Sequence, residues 1–138
     1  MRIETKRFGT IEIDENAIIH FPKGLIGFEN CHRFALIKNE DFDPFCWLVS
    51  LDEVELSLPI LNPNLVNPDF DFSLSKSLTD HRFMNNGFSD IFCVVNIDGE
   101  LGRFTINLKS PIFVNFNERM GKQLILDSDE LMVDQPVW

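Results

Sequence analysis

The chain has no tyrosine, only three cysteines and three histidines, and just 12 lysines and arginines against 22 aspartates and glutamates in 138 residues. Each shortage excludes something. Without tyrosine there is no phenol to carry a proton, and the 14 phenylalanines and two tryptophans are left to fill cores and apolar grooves. Cys31, Cys46 and Cys93 are odd in number, widely spaced and without a C-x-x-C pair, the pattern of buried thiols in a reducing compartment, not of a disulfide framework. His20, His32 and His81 are scattered, and the adjacent Cys31 and His32 lack two further ligands at a metal-binding spacing. No metal or other cofactor is expected.

The scarcity of positive charge leaves a net charge of −10 and a pI near 4.6. Nucleic-acid affinity rests on Lys and Arg displacing counterions, so direct binding of DNA or RNA is not expected, whereas a basic protein would be attracted. No apolar run approaches the roughly 18 residues that a membrane span requires. The N-terminal stretch MRIETKRFGTIEI alternates charged and apolar residues instead of following a basic patch with a long apolar run, so a cytoplasmic address is expected. The length suits one domain, residues 1–138.

What is present reads as short strands. RIETKRF alternates and Gly9 turns it into TIEI; AIIHF follows and Pro22 ends it. RFALIK, PFCWLVSL and LSLPIL are further strands, with Pro59 placing the last at an edge or a bulge. DIFCVVNI and LGRFTINL flank Asp98-Gly99 as a hairpin. PIFVNF and KQLIL follow, joined by a turn at Asn117 to Gly121; Pro111 cannot donate to a ladder, so a new sheet edge open to another chain is expected there. One stretch, SLSKSLTDHRFMNNG, has helical spacing and an Asn-Asn-Gly stop, predicting a short helix at about Ser75 to Asn85. The fold class is mainly β: a small antiparallel β-barrel-like domain with one short helix.

Candidates for chemistry are few. There is no G-x-S-x-G and no H-E-x-x-H. Asp41 and Asp43 in NEDFDPF read as a solvated turn, because an oxygen cage needs more ligands. The acidic run DSDELMVD lacks the central glycine of a calcium loop and reads as a charged face or a solvated terminus. In FPKGLIGFE, Gly24-x-x-Gly27 has the spacing of a phosphate loop, but Lys23 precedes the loop and Leu25 and Ile26 lie between the glycines. In GRFTINLKSPI, Phe104, Ile106 and Leu108 share one face and Thr105, Asn107 and Lys109 the other.

Taken together and in this order, FPKGLIGFE, PFCWLVSL, GRFTINLKSPIFVN and GKQLIL resemble the FliW flagellar assembly factor family over nearly the whole chain. The resemblance implies a small β-barrel-like protein, a monomer without enzymatic activity. It also implies two partners bound in turn: flagellin, and CsrA, a small basic RNA-binding regulator whose repression of flagellin synthesis is relieved, in the family allosterically, when FliW sequesters it. Pro22, Gly24 and Gly27 then turn a corner, and Phe21, Leu25 and Phe28 are expected to plug the end of the barrel. The residues expected to meet partners are Phe45, Trp47, Asn107, Lys109, Asn115, Asp127, Asp129 and Glu130. Where many family members carry an acidic residue before the proline and a tyrosine after it, this chain has Asn62-Pro63 and then Phe70 or Phe72. The rival reading is an OB-like small barrel binding single-stranded nucleic acid, which the charge opposes.

Overall fold

A strand with apolar residues on both faces must be covered on both faces, and this demand organises the chain. A computed structural model describes residues 1–38, 40–70, 90–126 and 131–137. Its strands are β1 (Arg2–Thr5), β2 (Gly9–Glu12), β3 (Ile18–His20), β4 (Arg33–Ile37), β5 (Cys46–Ser50), β6 (Ser57–Leu61), β7 (Asp90–Asp98), β8 (Arg103–Ile106), β9 (Ile112–Asn115), β10 (Met120–Gln123) and β11 (Gln135–Pro136). Among the described residues, the 3-10 turns Glu15–Ala17, Glu40–Phe42 and Pro63–Leu65 lie between strands. The helix predicted at 75–85 lies outside the described residues.

Seven strands close on themselves in the order β7-β6-β5-β4-β3-β10-β9 and back to β7, which leaves the barrel without a free edge. The mainly β barrel read from the sequence is therefore the fold, with one correction: β3 and β10 join in parallel, through Met120 opposite His20. Ile19, Phe34, Leu48, Ile60, Phe92, Ile112 and Val114 fill one buried cluster. They occupy alternate positions on their strands and pair across the ladders, as with Ile19 opposite Phe34 and Phe92 opposite Ile112, so this cluster is the barrel interior.

The residues between them point outward and are buried as well. On β5, Trp47 and Val49 pack under the β1–β2 hairpin, against Ile3, Phe8, Ile11 and Ile13. On β6, β7 and β9, Leu61, Cys93, Val95 and Phe113 pack with Ile106, Leu108, Phe70, Leu126 and Leu131 in a third cluster. The barrel is thus wrapped on two sides, which is why CWLVS and DIFCVV are nearly continuous apolar runs.

Two edge expectations are overturned. Strand β6 pairs with β5 on one side and β7 on the other, so Pro59 does not mark an edge strand. Its effect is local: the ladder to β7 holds only Ile60–Val94 and Leu61–Cys93 and stops beside Pro59, which has no N–H to continue it. Strand β9, after Pro111, lies between β10 and β7, so no open edge begins there. The hairpin expected at Asp98-Gly99 is present, with Asp98 opposite Arg103. Asp98 Oδ1 accepts from the N–H groups of Glu100 and Leu101 to hold its turn.

Candidate partner-binding face

Where β6 and β7 part at Pro59, their separation opens clefts in the barrel wall. One cleft, of about 180 Å3, is lined by Leu25, Ile26, Phe28, Leu58, Val94 and Asn107 among others. It adjoins a second, of about 480 Å3, through Leu58, Val94 and Asn107; there Arg7, Trp47, Pro59, Ile97 and Val133 continue the lining. Trp47, Pro59 and Ile97 in turn belong to a third, with Asp41, Asp43, Phe45 and Phe104. The result is a groove with an apolar floor from the FPKGLIGFE loop to the turn before β5. Ile26, Phe28, Ile97 and Val133 along it are 49%, 40%, 45% and 59% exposed, contiguous apolar surface of the kind that marks interaction sites.

The loop at one end is a corner and not an anion cradle. Gly24 and Gly27 have φ of 66° and 87°, in the left-handed region that glycine enters without strain. Five successive amides are already used inside the chain. Gly24 N donates to Phe21 O, Leu25 N to Phe28 O and Phe28 N to Leu25 O. Ile26 N donates to Gln123 Oε1 and Gly27 N to Glu29 Oε1. Gln123 also donates through Nε2 to Ser110 O, so one side chain ties the loop to β10 and to the segment before β9. Phe21 and Leu25 are buried as expected, whereas Phe28, expected to plug the barrel, is turned out to solvent beyond Gly27.

The barrel end beneath the loop is held by Asp52. Its Oδ2 accepts from the backbone N–H of His32 and of Arg33, and its Oδ1 from the Arg33 guanidinium at 2.9 Å. Burial raises the pKa of this carboxyl, but the bonds from His32 and Arg33 outweigh it and hold it below its ordinary value. Cys46 is raised, by burial first, with Lys38 pulling down and Asp43 pushing up. Cys93, wholly buried, is raised by the same desolvation. Both remain thiols at neutral pH, which is the inert state of a structural cysteine.

The residues singled out from the sequence divide. Phe45 and Trp47 come together in one cleft, and Asn107 lies further along the groove. Lys109 follows as a half-buried residue whose N–H donates to Asn107 Oδ1. Asn115 is not on the groove: it is 4% exposed and its Oδ1 accepts from the N–H of Glu118, as a turn-forming residue does. Asp127, Asp129 and Glu130 lie outside the described residues. Sequence reasoning missed Ile97, Phe28 and Pro59 as groove residues. The available signal for Ile97 was an apolar residue directly before a hairpin turn. Among the described residues, no group of three or more His, Cys, Asp and Glu could hold a metal ion, and no helix is long and apolar enough to cross a membrane.

A closed seven-stranded barrel, wrapped by a hairpin and by its C-terminal segment and grooved where two strands part, defines the class as a small wrapped β-barrel. The family model described as FliW protein matches residues 2–137. The flagellar assembly factor FliW of Ruminiclostridium cellulolyticum is 35% identical over 135 residues, covering 96% of this chain and 91% of that protein. That of Caldanaerobacter subterraneus subsp. tengcongensis is 34% identical over 139 residues, covering 99% and 93%. A crystal structure of the flagellar assembly factor FliW matches with a TM-score of 0.82 at 27% identity, covering all of this chain and 97% of that one. The chain belongs to the FliW family. Its relatives are named for assembly and not for catalysis.

Proposed function

We propose that this chain is a flagellar assembly factor that binds flagellin and the basic regulator CsrA in turn, and so relieves CsrA repression of flagellin synthesis as a cytoplasmic monomer. The observation that carries the reading is the family match over residues 2–137. The groove supports it, since an apolar helical face of the kind flagellin would offer is buried by aliphatic and aromatic anchors at such a surface. The charge of −10 supports it as well, because an acidic surface hastens encounter with a basic partner while disfavouring competition for RNA. The test is light scattering of the purified chain mixed at micromolar concentration with its cognate flagellin, with CsrA, and with both. One-to-one complexes with each and displacement of one partner by the other are the expected result. Free components in both binary mixtures overturn the reading.

A further inference from the structure

The cleft at the Phe45 end of the groove, about 290 Å3, combines aromatic walls with carboxylates. Three aromatic residues, Phe45, Trp47 and Phe104, line it together with Pro59 and Ile97, and two exposed acidic residues, Asp41 and Asp43, complete the lining. Phe45 and Phe104 meet edge to face with centroids 6.2 Å apart, while Trp47 is 7% exposed and presents a fixed wall. Aromatic faces attract cations through their quadrupole, and neighbouring carboxylates add full charge to that attraction. The chain itself already places a cation on this indole: the guanidinium carbon of Arg7 lies 4.4 Å from the Trp47 ring centroid, in the adjoining cleft that both residues line. The Phe45 cleft has aromatic walls and carboxylates, and no Lys or Arg among its described lining residues. Lys38 is another nearby cation, its charge felt at Cys46 together with that of Asp43, but the ion pairs among the described residues do not include one between Lys38 and Asp43.

We infer that this cleft receives an arginine side chain presented by a basic protein partner. The guanidinium lies on the aromatic wall, its N–H fork faces Asp43, and its aliphatic stem runs along Pro59 and Ile97. Arginine fits better than lysine because its cation is planar, weakly hydrated and able to pair with a carboxylate by two parallel bonds. The inference is independent of the flagellar reading, since it names the chemistry of the side chain and not the protein that carries it.

The probes are Nα-acetyl-arginine amide and its uncharged isostere Nα-acetyl-citrulline amide, titrated into the 15N-labelled chain while the Trp47 indole N–H resonance is followed. A saturable shift is expected with the arginine probe, with affinity about tenfold weaker for the citrulline probe, since loss of the cation removes both the ring and the carboxylate attraction. Asp43→Asn should weaken the arginine probe about threefold or more, within the range of one exposed ion pair, and leave the citrulline probe unchanged. Equal affinity for the two probes overturns the inference and leaves an apolar groove indifferent to charge. A Trp47 resonance that does not move with the arginine probe overturns it too. Should Asp43→Asn fail to fold, the ratio between the two probes on the unaltered chain decides alone.

Discussion

The ring of Phe21 lies against the backbone of Gly121, so close that a Cβ at residue 121 would overlap Cζ, Cε1 and Cε2 of the ring. These residues are a hundred positions apart, one following β3 and the other in β10, so the contact sits at the parallel pairing that closes the barrel. Phe21 is wholly buried in the barrel cluster, and its ring occupies the space that a side chain on β10 would otherwise fill.

Gly121→Ala should therefore destabilise by overpacking, by about 1–3 kcal/mol, although Gly121 has no positive φ to lose. Phe21→Leu leaves room for the new methyl group, so the double variant should be more stable than the sum of the two single changes predicts. Urea midpoints for the four proteins of this cycle are the measurement. Additive losses would mean that the ring does not respond to residue 121.

The two glycines of the corner should behave differently. At Gly24 a Cβ would lie 2.6 Å from Phe28 O and 2.7 Å from Glu29 Cα, whereas at Gly27 nothing lies within 4 Å. Both substitutions incur left-handed strain, about 1–2 kcal/mol for a non-glycine residue, but only Gly24→Ala must also move backbone. Gly27→Ala should keep cooperative melting with a modest loss, and Gly24→Ala should lose clearly more. Equal losses would show that conformation alone sets the requirement for glycine.

How much of this was legible depends on the range of the interaction. The run CWLVS declares a strand covered on both faces, because its apolar residues do not alternate with polar ones. The hairpin at Asp98-Gly99 declares itself through turn chemistry confined to a few residues. By contrast, the closure of β3 on β10 rests on one bridging pair, Met120 and His20, and no local pattern announces it. Pro59 and Pro111 suggested edges because a missing N–H is a local fact, while the neighbour on the other side of a strand is not. For Pro59 the break in the ladder is real and makes the groove. Phe28 was misplaced for a similar reason: the size of a side chain argues for burial, but Gly27 reverses the chain and sends it outward.

Asp52 supplies a pH dependence whose sign follows from its bonds. Its pKa is lowered in the folded chain from an ordinary value of 3.8, so its stabilisation is complete above that value and is lost as pH falls through the folded pKa. The side chain keeps 25% of its surface in contact with solvent, so water screening limits Asp52→Asn to a loss of about 1 kcal/mol at neutral pH. The gap between the two proteins should shrink below pH 3.8 as the native carboxyl protonates. Chemical denaturation at neutral pH and at progressively lower pH measures it, and a gap constant through the acid range would mean that the ionised form of Asp52 does not carry the stabilisation.

Gln123 should set the mobility of the loop. Gln123→Ala removes the acceptor of Ile26 N and the donor to Ser110 O together, a loss of about 1–2 kcal/mol if neither finds water. Hydrogen exchange at the Ile26 amide should accelerate more than that at the β5 amides, because the defect is local. Uniform acceleration across the barrel would instead place Gln123 in the global fold.

The groove itself can be tested at its two ends. Phe28 and Ile97 are both substantially exposed, so Phe28→Ser and Ile97→Asp should shift stability only within about 0.5 kcal/mol, as surface changes do. A flagellin helix laid along the groove would lose an apolar anchor in either variant, and buried anchors of interfaces are each worth roughly 1–2 kcal/mol or more, at least a fivefold fall in affinity. Ile97→Asp should in addition raise the association rate with a basic partner, because one more carboxylate faces the approach, and salt should suppress that gain. Calorimetric affinities for flagellin and association rates for CsrA at two ionic strengths separate the effects. If both variants bind both partners as the native chain does, the docking face lies elsewhere on the barrel.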